Sequence, residues 1–132
     1  MKAFLAVTVL FALGLTGCQT NPVSGRSQLV LVSEEQAQAS SAQAYAQTVN
    51  EAQKKGKLST DAALNARVKR ITDRLITQAG TMYPPSRSWK WSVAVIDEPT
   101  LNAWCMPGGK MAIYTGIITK LKLTDDEIAQ VM

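Results

Sequence analysis

Hydrophobic and polar positions along this chain change period several times, and each change marks an element. The clearest helical pattern lies mid-chain. Leu64, Val68, Ile71 and Leu75 recur at steps of four, three and four, which puts them on one stripe of a 3.6-residue helix. Ser59-Thr60-Asp61 stands before it as a start signal, and Gly80 stands where a left-handed C-terminal cap would close it. Arg67, Arg70 and Arg74 flank the stripe, where their heads reach water. An earlier helix is predicted from Ser33, with Gln36 completing a capping box, to about Lys55, and Gly56 ends it. Its apolar side (Ala42, Tyr45, Ala46, Val49) is thin and predicts light packing.

Tyr83-Pro84-Pro85-Ser86 breaks the helical pattern, and the period then falls to two. Within Trp89–Asp97, Trp91, Val93 and Val95 share one face of a strand. Leu101 to Cys105 reads as a second strand, Pro107-Gly108-Gly109 as a turn, and Lys110 to Thr115 as a third strand. Gly116 to Leu121 suits a short helix. Thr124-Asp125-Asp126-Glu127 is a capping box with an acidic first turn, and Ile128, Val131 and Met132 open an apolar side. The resulting fold class is α+β: N-terminal helices near a small sheet of about three strands, then the start of a further helix. Helices shorter than ~12–15 residues are marginal alone. The expectation is therefore an incomplete domain, cut about two turns into that helix.

The N-terminal pattern is of another kind. After Met1–Lys2, Ala3 to Leu15 is apolar except for Thr8 and Gly14. It is shorter than the about 20 residues of a permanent span, and residues 1–17 read as a secretory signal to be set aside from the fold. The run ends in Leu15-Thr16-Gly17-Cys18, which resembles the lipobox of bacterial lipoproteins. The resemblance implies acylation of Cys18, with several acyl chains holding the protein to a lipid bilayer. Gln19, where retention signals carry Asp, implies the outer membrane, facing the periplasm. Residues 18–32 then form a lipidated tether. It includes turn-rich Asn21-Pro22-Val23-Ser24-Gly25-Arg26 and the apolar run Leu29 to Val32, a strand or a docking clip. Residues 33–132 form the domain.

Composition narrows the function. The 132 residues carry a net charge of +4, and without Lys2 there remain 13 basic against 10 acidic residues. The densest basic group, Lys54-Lys55-Gly56-Lys57, sits at a predicted turn, and aromatics are not interleaved with the basic residues, so no nucleic-acid partner is expected. There is no histidine, which excludes a His-based nucleophilic triad and a His-containing zinc site built from these residues alone. With Cys18 acylated, Cys105 has no partner and reads as a buried small apolar residue. Trp89, Trp91 and Trp104 read as core or sheet-face residues.

The segment Asn102-Ala103-Trp104-Cys105-Met106-Pro107-Gly108-Gly109-Lys110-Met111-Ala112-Ile113-Tyr114-Thr115-Gly116 resembles the Asn-Ala…Pro-Gly-Gly…strand…Gly signature of the zinc metallopeptidases related to the CAAX prenyl protease and the protease HtpX, the forty-eighth metallopeptidase family. Leu123 to Met132 is similar to the approach to that family's His-Glu-x-x-His helix, and Asn21 to Arg26 to the mature start of its lipoprotein members. The resemblance implies an envelope zinc metalloendopeptidase acting on unfolded or unassembled envelope proteins. Two helical histidines would hold zinc and the glutamate would activate its water. None of those positions occurs in this chain, so no catalytic or metal residue is assigned, and the chain alone is expected to bind no zinc and cleave nothing. What carries over is a substrate-cleft strand, Met111, Ala112, Ile113, Tyr114 and Thr115, with Asn102 and Ala103 beside it, because extended substrates pair with sheet edges. The competing reading makes Met111 and Ile113 core, with Gly108 and Gly109 serving only a hairpin turn after Pro107. A second functional reading is a non-catalytic lipoprotein binding or assembly module that keeps the family scaffold.

Overall fold

The computed structural model describes residues 18–20, 25–29 and 32–132. The secretory signal at 1–17, the turn at Asn21–Ser24 and the centre of the Leu29–Val32 run lie outside the described residues. By internal contacts the chain divides into Met1–Ser33 and Glu34–Met132. In the first unit, β1 (Cys18–Thr20) and β2 (Ser27–Leu29) pair antiparallel, Cys18 opposite Leu29. Part of the expected tether is therefore a short ladder.

The second unit opens with helix α1 (Glu34–Lys54), acidic in its first turn and basic in its last, as the helix dipole favours. Its inward residues are Ser41, Tyr45, Thr48, Val49 and Ala52, while Ala42 and Ala46 are exposed, which corrects the expected apolar side. Lys57, Leu58 and Ser59 cross to α2 (Ala62–Met82), where Asp61 caps the helix by accepting the Leu64 N–H at 3.0 Å. Helix α2 does not stop at Gly80. It runs to Met82, because Pro84 rather than Gly80 ends the helical pattern, and Gly80 instead leaves room for Arg87. The Arg87 Nε donates to the Gly80 carbonyl at 2.8 Å. Pro84–Ser88 forms a 3-10 turn where a plain break was expected.

Strands β3 (Ser92–Ile96), β4 (Ala103–Met106) and β5 (Lys110–Tyr114) build a mixed sheet in the order β3-β5-β4. β3 runs parallel to β5 with Val95 beside Ile113, and β4 runs antiparallel to it with Cys105 opposite Met111. The hairpin turn is Pro107-Gly108-Gly109, with φ of 76° at Gly108 and 72° at Gly109. A side chain at Gly109 would collide with the Trp91 ring. Helices α3 (Thr115–Lys120) and α4 (Asp125–Val131) follow.

Both faces of the sheet are covered. On one, Val95 and Ile113 meet Val68 and Ile71 of α2, Ile118 of α3 and Ile128 of α4, the last fully buried. Leu64 and Leu75 pack on the same cluster, as the stripe requires. On the other face, Ala94, Ile96 and Ala112 lie under Tyr45 and Val49 of α1, with Trp104 edge-on to Tyr45 at 6.1 Å. β3 is thus buried on two sides, where alternation had suggested one. The architecture is α+β in three layers.

Candidate functional site

Two structures of the motif-bearing region fix its geometry: the turns that hold the sheet, and the clamp that starts helix α4. The Asn102 carbonyl accepts the Tyr114 N–H at 3.1 Å, which places Asn102 at the mouth of β4. Gly116 enters α3 against the backbone of Pro99 and Thr100, too close for any Cβ, and its N–H donates to the Glu98 carbonyl at 2.9 Å. Thr115 Oγ1 donates to Asp97 at 2.9 Å, and Lys120 Nζ to the Pro99 carbonyl at 2.8 Å. These bonds tie the loop before β4 to the end of β5. The Asn102–Gly116 segment therefore acts as one unit.

β5 is the central strand, so its main chain is used on both sides. This corrects the expectation that Met111, Ala112, Ile113, Tyr114 and Thr115 offer an edge to substrate. Met111, Ala112 and Ile113 are core, exposed by no more than 2 %, and Thr115 is the first residue of α3. The antiparallel edge is β4. Since Tyr114 bonds Asn102, the alternating ladder turns the main-chain groups of Ala103 and Cys105 outward. The Cys105 side chain is exposed, not buried as expected. Packing on its inner flank nevertheless desolvates the thiolate and raises the pKa, so it is no activated thiol.

Helix α4 is only seven residues long, and three contacts hold it. Thr124 and Glu127 form the reciprocal capping box: Glu127 N–H donates to Thr124 Oγ1 at 3.3 Å, and Thr124 N–H to Glu127 Oε2 at 2.8 Å. Arg67 donates to Asp125 at 2.6 Å and to the Leu123 carbonyl at 2.7 Å, and Arg70 reaches Asp125 at 3.3 Å. Arg67, expected to face water, is instead largely covered and docks the helix, while Arg70 stays in water with 63 % of its side chain exposed and still reaches Asp125. The Arg67 bond, reinforced by Arg70, holds the Asp125 carboxyl below the ordinary range. The Thr124 amide does the same for Glu127.

A further charged residue was not legible in sequence. Lys110 is buried at 9 % exposure, with its ammonium bonded to the Lys90 carbonyl and to Ser92 Oγ and lying 5.8 Å over the Tyr45 ring. The alternation of Lys110 with Ala112 and Tyr114 on one strand face was the only available signal.

The model for peptidase family M48 matches residues 62–132, from the first residue of α2 through the sheet to α4. The chain belongs to peptidase family M48. Over 106 residues it is 29% identical to the human mitochondrial metalloendopeptidase OMA1, covering 80% of this chain and 20% of that protein. The mitochondrial metalloendopeptidase OMA1 of Arabidopsis thaliana is 43% identical over 42 residues, 32% of this chain and 8% of that protein. That of Schizosaccharomyces pombe is 35% identical over 65 residues, 49% of this chain and 18% of that protein. The chain thus spans a fifth or less of these M48 relatives. No solved structure matches it.

The donor set of this M48 chain does not fit zinc. It has no histidine, and among the described residues no three His, Cys, Asp or Glu side chains are grouped to hold a metal. Asp125 and Glu127 are engaged by Arg67 and by the cap. Among the described residues, no helix is long and apolar enough to cross a membrane.

Proposed function

We propose that this chain is the N-terminal portion of an envelope zinc metalloendopeptidase of family M48, close to its lipoprotein members, that degrades unfolded or unassembled envelope proteins. The observation that carries the reading is the M48 match running through the sheet motif and into α4, the helix whose first turn is capped and clamped by Arg67. In this reading α4 continues into the zinc-binding motif, and zinc supplies an activated water for peptide hydrolysis. This chain's own residues hold the helix and the sheet. They supply no ligand, so no catalytic step is assigned to them and the chain alone is inactive. Extended substrate pairs with the open edge of β4 through Ala103 and Cys105, with Asn102 at its mouth.

Reading the gene beyond the codon for Met132 tests this: His-Glu-x-x-His is expected within the next turn of helix, and a stop codon there would sink it. Titration of the purified chain should show no stoichiometric, tight zinc binding. A second reading is a non-catalytic binding module on the family scaffold, whose sheet is already covered on both faces within these residues. Stable expression from a gene that ends at Met132 would select it. We also propose that Cys18 is acylated and anchors the protein in the outer membrane, facing the periplasm. Cys18→Ser should abolish palmitate labelling and membrane partitioning, and retention of both would remove the anchor.

A further inference from the structure

The outer edge of β3, on the opposite side of the sheet from β4, opens into a cavity of about 530 Å³ between α1 and α2. Ser92 N–H donates to the Gly109 carbonyl at 3.0 Å, inward toward β5, so the ladder's alternation turns Val93 and Val95 outward into this cavity. The same edge already carries the beginning of a fourth strand. Leu58 lies antiparallel to Ile96, with Ser59 N–H donating to the Val95 carbonyl at 2.9 Å and Asp97 N–H to the Lys57 carbonyl at 2.7 Å. That pairing ends after one bridge, because the chain turns at Asp61 into α2. Beside Val93 no described residue continues it.

The side walls of a fourth strand are nevertheless in place. Tyr45 and Val49 of α1 stand over one face of the slot, and Thr72 and Ile76 of α2 over the other. A second observation points to an arriving donor. Asn65 lines the slot with its Nδ2 donating to the Ser59 carbonyl at 2.8 Å, while its Oδ1 is buried with no partner. A buried acceptor left unpaired is costly, and an incoming N–H relieves it. An open ladder position, apolar walls on both faces and an unpaired acceptor are together complementary to extended main chain. A helix would satisfy its own N–H groups, and a compact ligand lacks the alternating donors and acceptors.

We propose that this slot is a docking site for an extended segment of another polypeptide, added as the fourth strand on the outer edge of β3. Its side chains are apolar at alternate positions, to meet Tyr45 and Val49, and small or apolar on the other face, to meet Thr72 and Ile76. The site is separate from the substrate edge at β4 and does not depend on the peptidase reading.

The test uses the full chain and a fluorescein-labelled, capped hexapeptide of alternating valine and threonine, with a proline-interrupted peptide as control. Saturable binding of the first peptide alone is expected, with slowed amide exchange at Val93. Val93→Pro deletes the outward N–H while leaving the ladder to β5 intact, and Ile76→Arg narrows the slot without touching a hydrogen bond. Each should weaken binding about tenfold, whereas Lys54→Ala, at an exposed position outside the slot, should leave it unchanged. No saturable binding, binding indifferent to both slot variants, or protection of Ala103 and Cys105 instead of Val93 would each overturn the proposal. Self-association of the chain that protects Val93 without added peptide would overturn the assignment to a foreign segment.

Discussion

Two glycines with nearly the same left-handed backbone sit in unlike surroundings. Gly56, at φ 64°, has open space where a Cβ would go, and Gly109, at φ 72°, has the Trp91 ring there. Alanine at 56 carries only the backbone strain, about 1 kcal/mol. Alanine at 109 adds a collision that pulls the indole from its 2.9 Å bond to the Ser86 carbonyl, so about 2–4 kcal/mol is expected. Urea unfolding of the two variants measures the difference. Asp125 gives a residue-scale prediction in pH. Its folded pKa is depressed, chiefly by Arg67, so its stabilising effect is complete above the ordinary aspartate value of about 3.9 and is lost as pH falls through the lower folded value. The stability gap between the native chain and Asp125→Asn should therefore be open near neutral pH and close on strong acidification, as read by chemical denaturation across that range. Sequence legibility at this scale followed side-chain size. Val68 and Ile71 announced themselves, but in α1 the exposed Ala42 and Ala46 could not be told from the buried Ser41 and Ala52, because small side chains carry little signal about the face they occupy.

At the scale of elements, α4 is the informative case. Seven residues do not hold a helix in water by themselves, so its order comes from the cap, the Arg67 clamp and the burial of Ile128. Thr124→Ala removes the cap at a cost of about 1 kcal/mol. Its effect should be local: faster amide exchange at Ile128 and Met132, whose N–H groups bond the Thr124 and Ile128 carbonyls at 3.0 and 3.2 Å, with the β5 amides unchanged. Equal acceleration in β5 would mean that α4 and the sheet open as one unit. The element types of the second unit were legible because each rests on a local rule: a stripe of period 3.6 for α2, alternation for β3, paired glycines for the hairpin, a capping box for α4. Strand order was not legible. The parallel pairing of β3 with β5 joins segments 18 residues apart, as Val95 beside Ile113 shows, and nothing local distinguishes a central from an edge strand among three short apolar runs. That is why the candidate cleft strand was placed on β5 when the open antiparallel edge belongs to β4. Gly80 failed for a related reason, since its role is set by Arg87, a side chain in the next element.

At the scale of the whole second unit, the sheet separates two cores of unequal strength. The α2 side gathers β-branched residues from five elements around Ile113 and Ile128, both fully buried. The α1 side relies on small Ala94 and Ala112, with Ile96 as its large buried side chain, beneath half-buried Tyr45 and Val49. Truncation should register this asymmetry. Ile113→Ala leaves a cavity that walls from α2, α3 and α4 cannot all follow inward, so a loss of about 2–5 kcal/mol is expected. Val49→Ala removes fewer atoms from a face that solvent already reaches, and should cost less than about 1.5 kcal/mol. If urea denaturation of the two variants gave equal losses, α1 would be as integral to the core as α2. The consequence reaches function, because the slot beside β3 is walled by both helices. A strong α2 side gives the slot one rigid wall, and a weaker α1 side gives it one that can yield. Val49→Ala should therefore leave the sheet folded while loosening the grip of the α1 wall on an added strand, and a weaker hold on the valine–threonine peptide by a variant that is still fully folded in the absence of urea is the outcome that separates docking from folding.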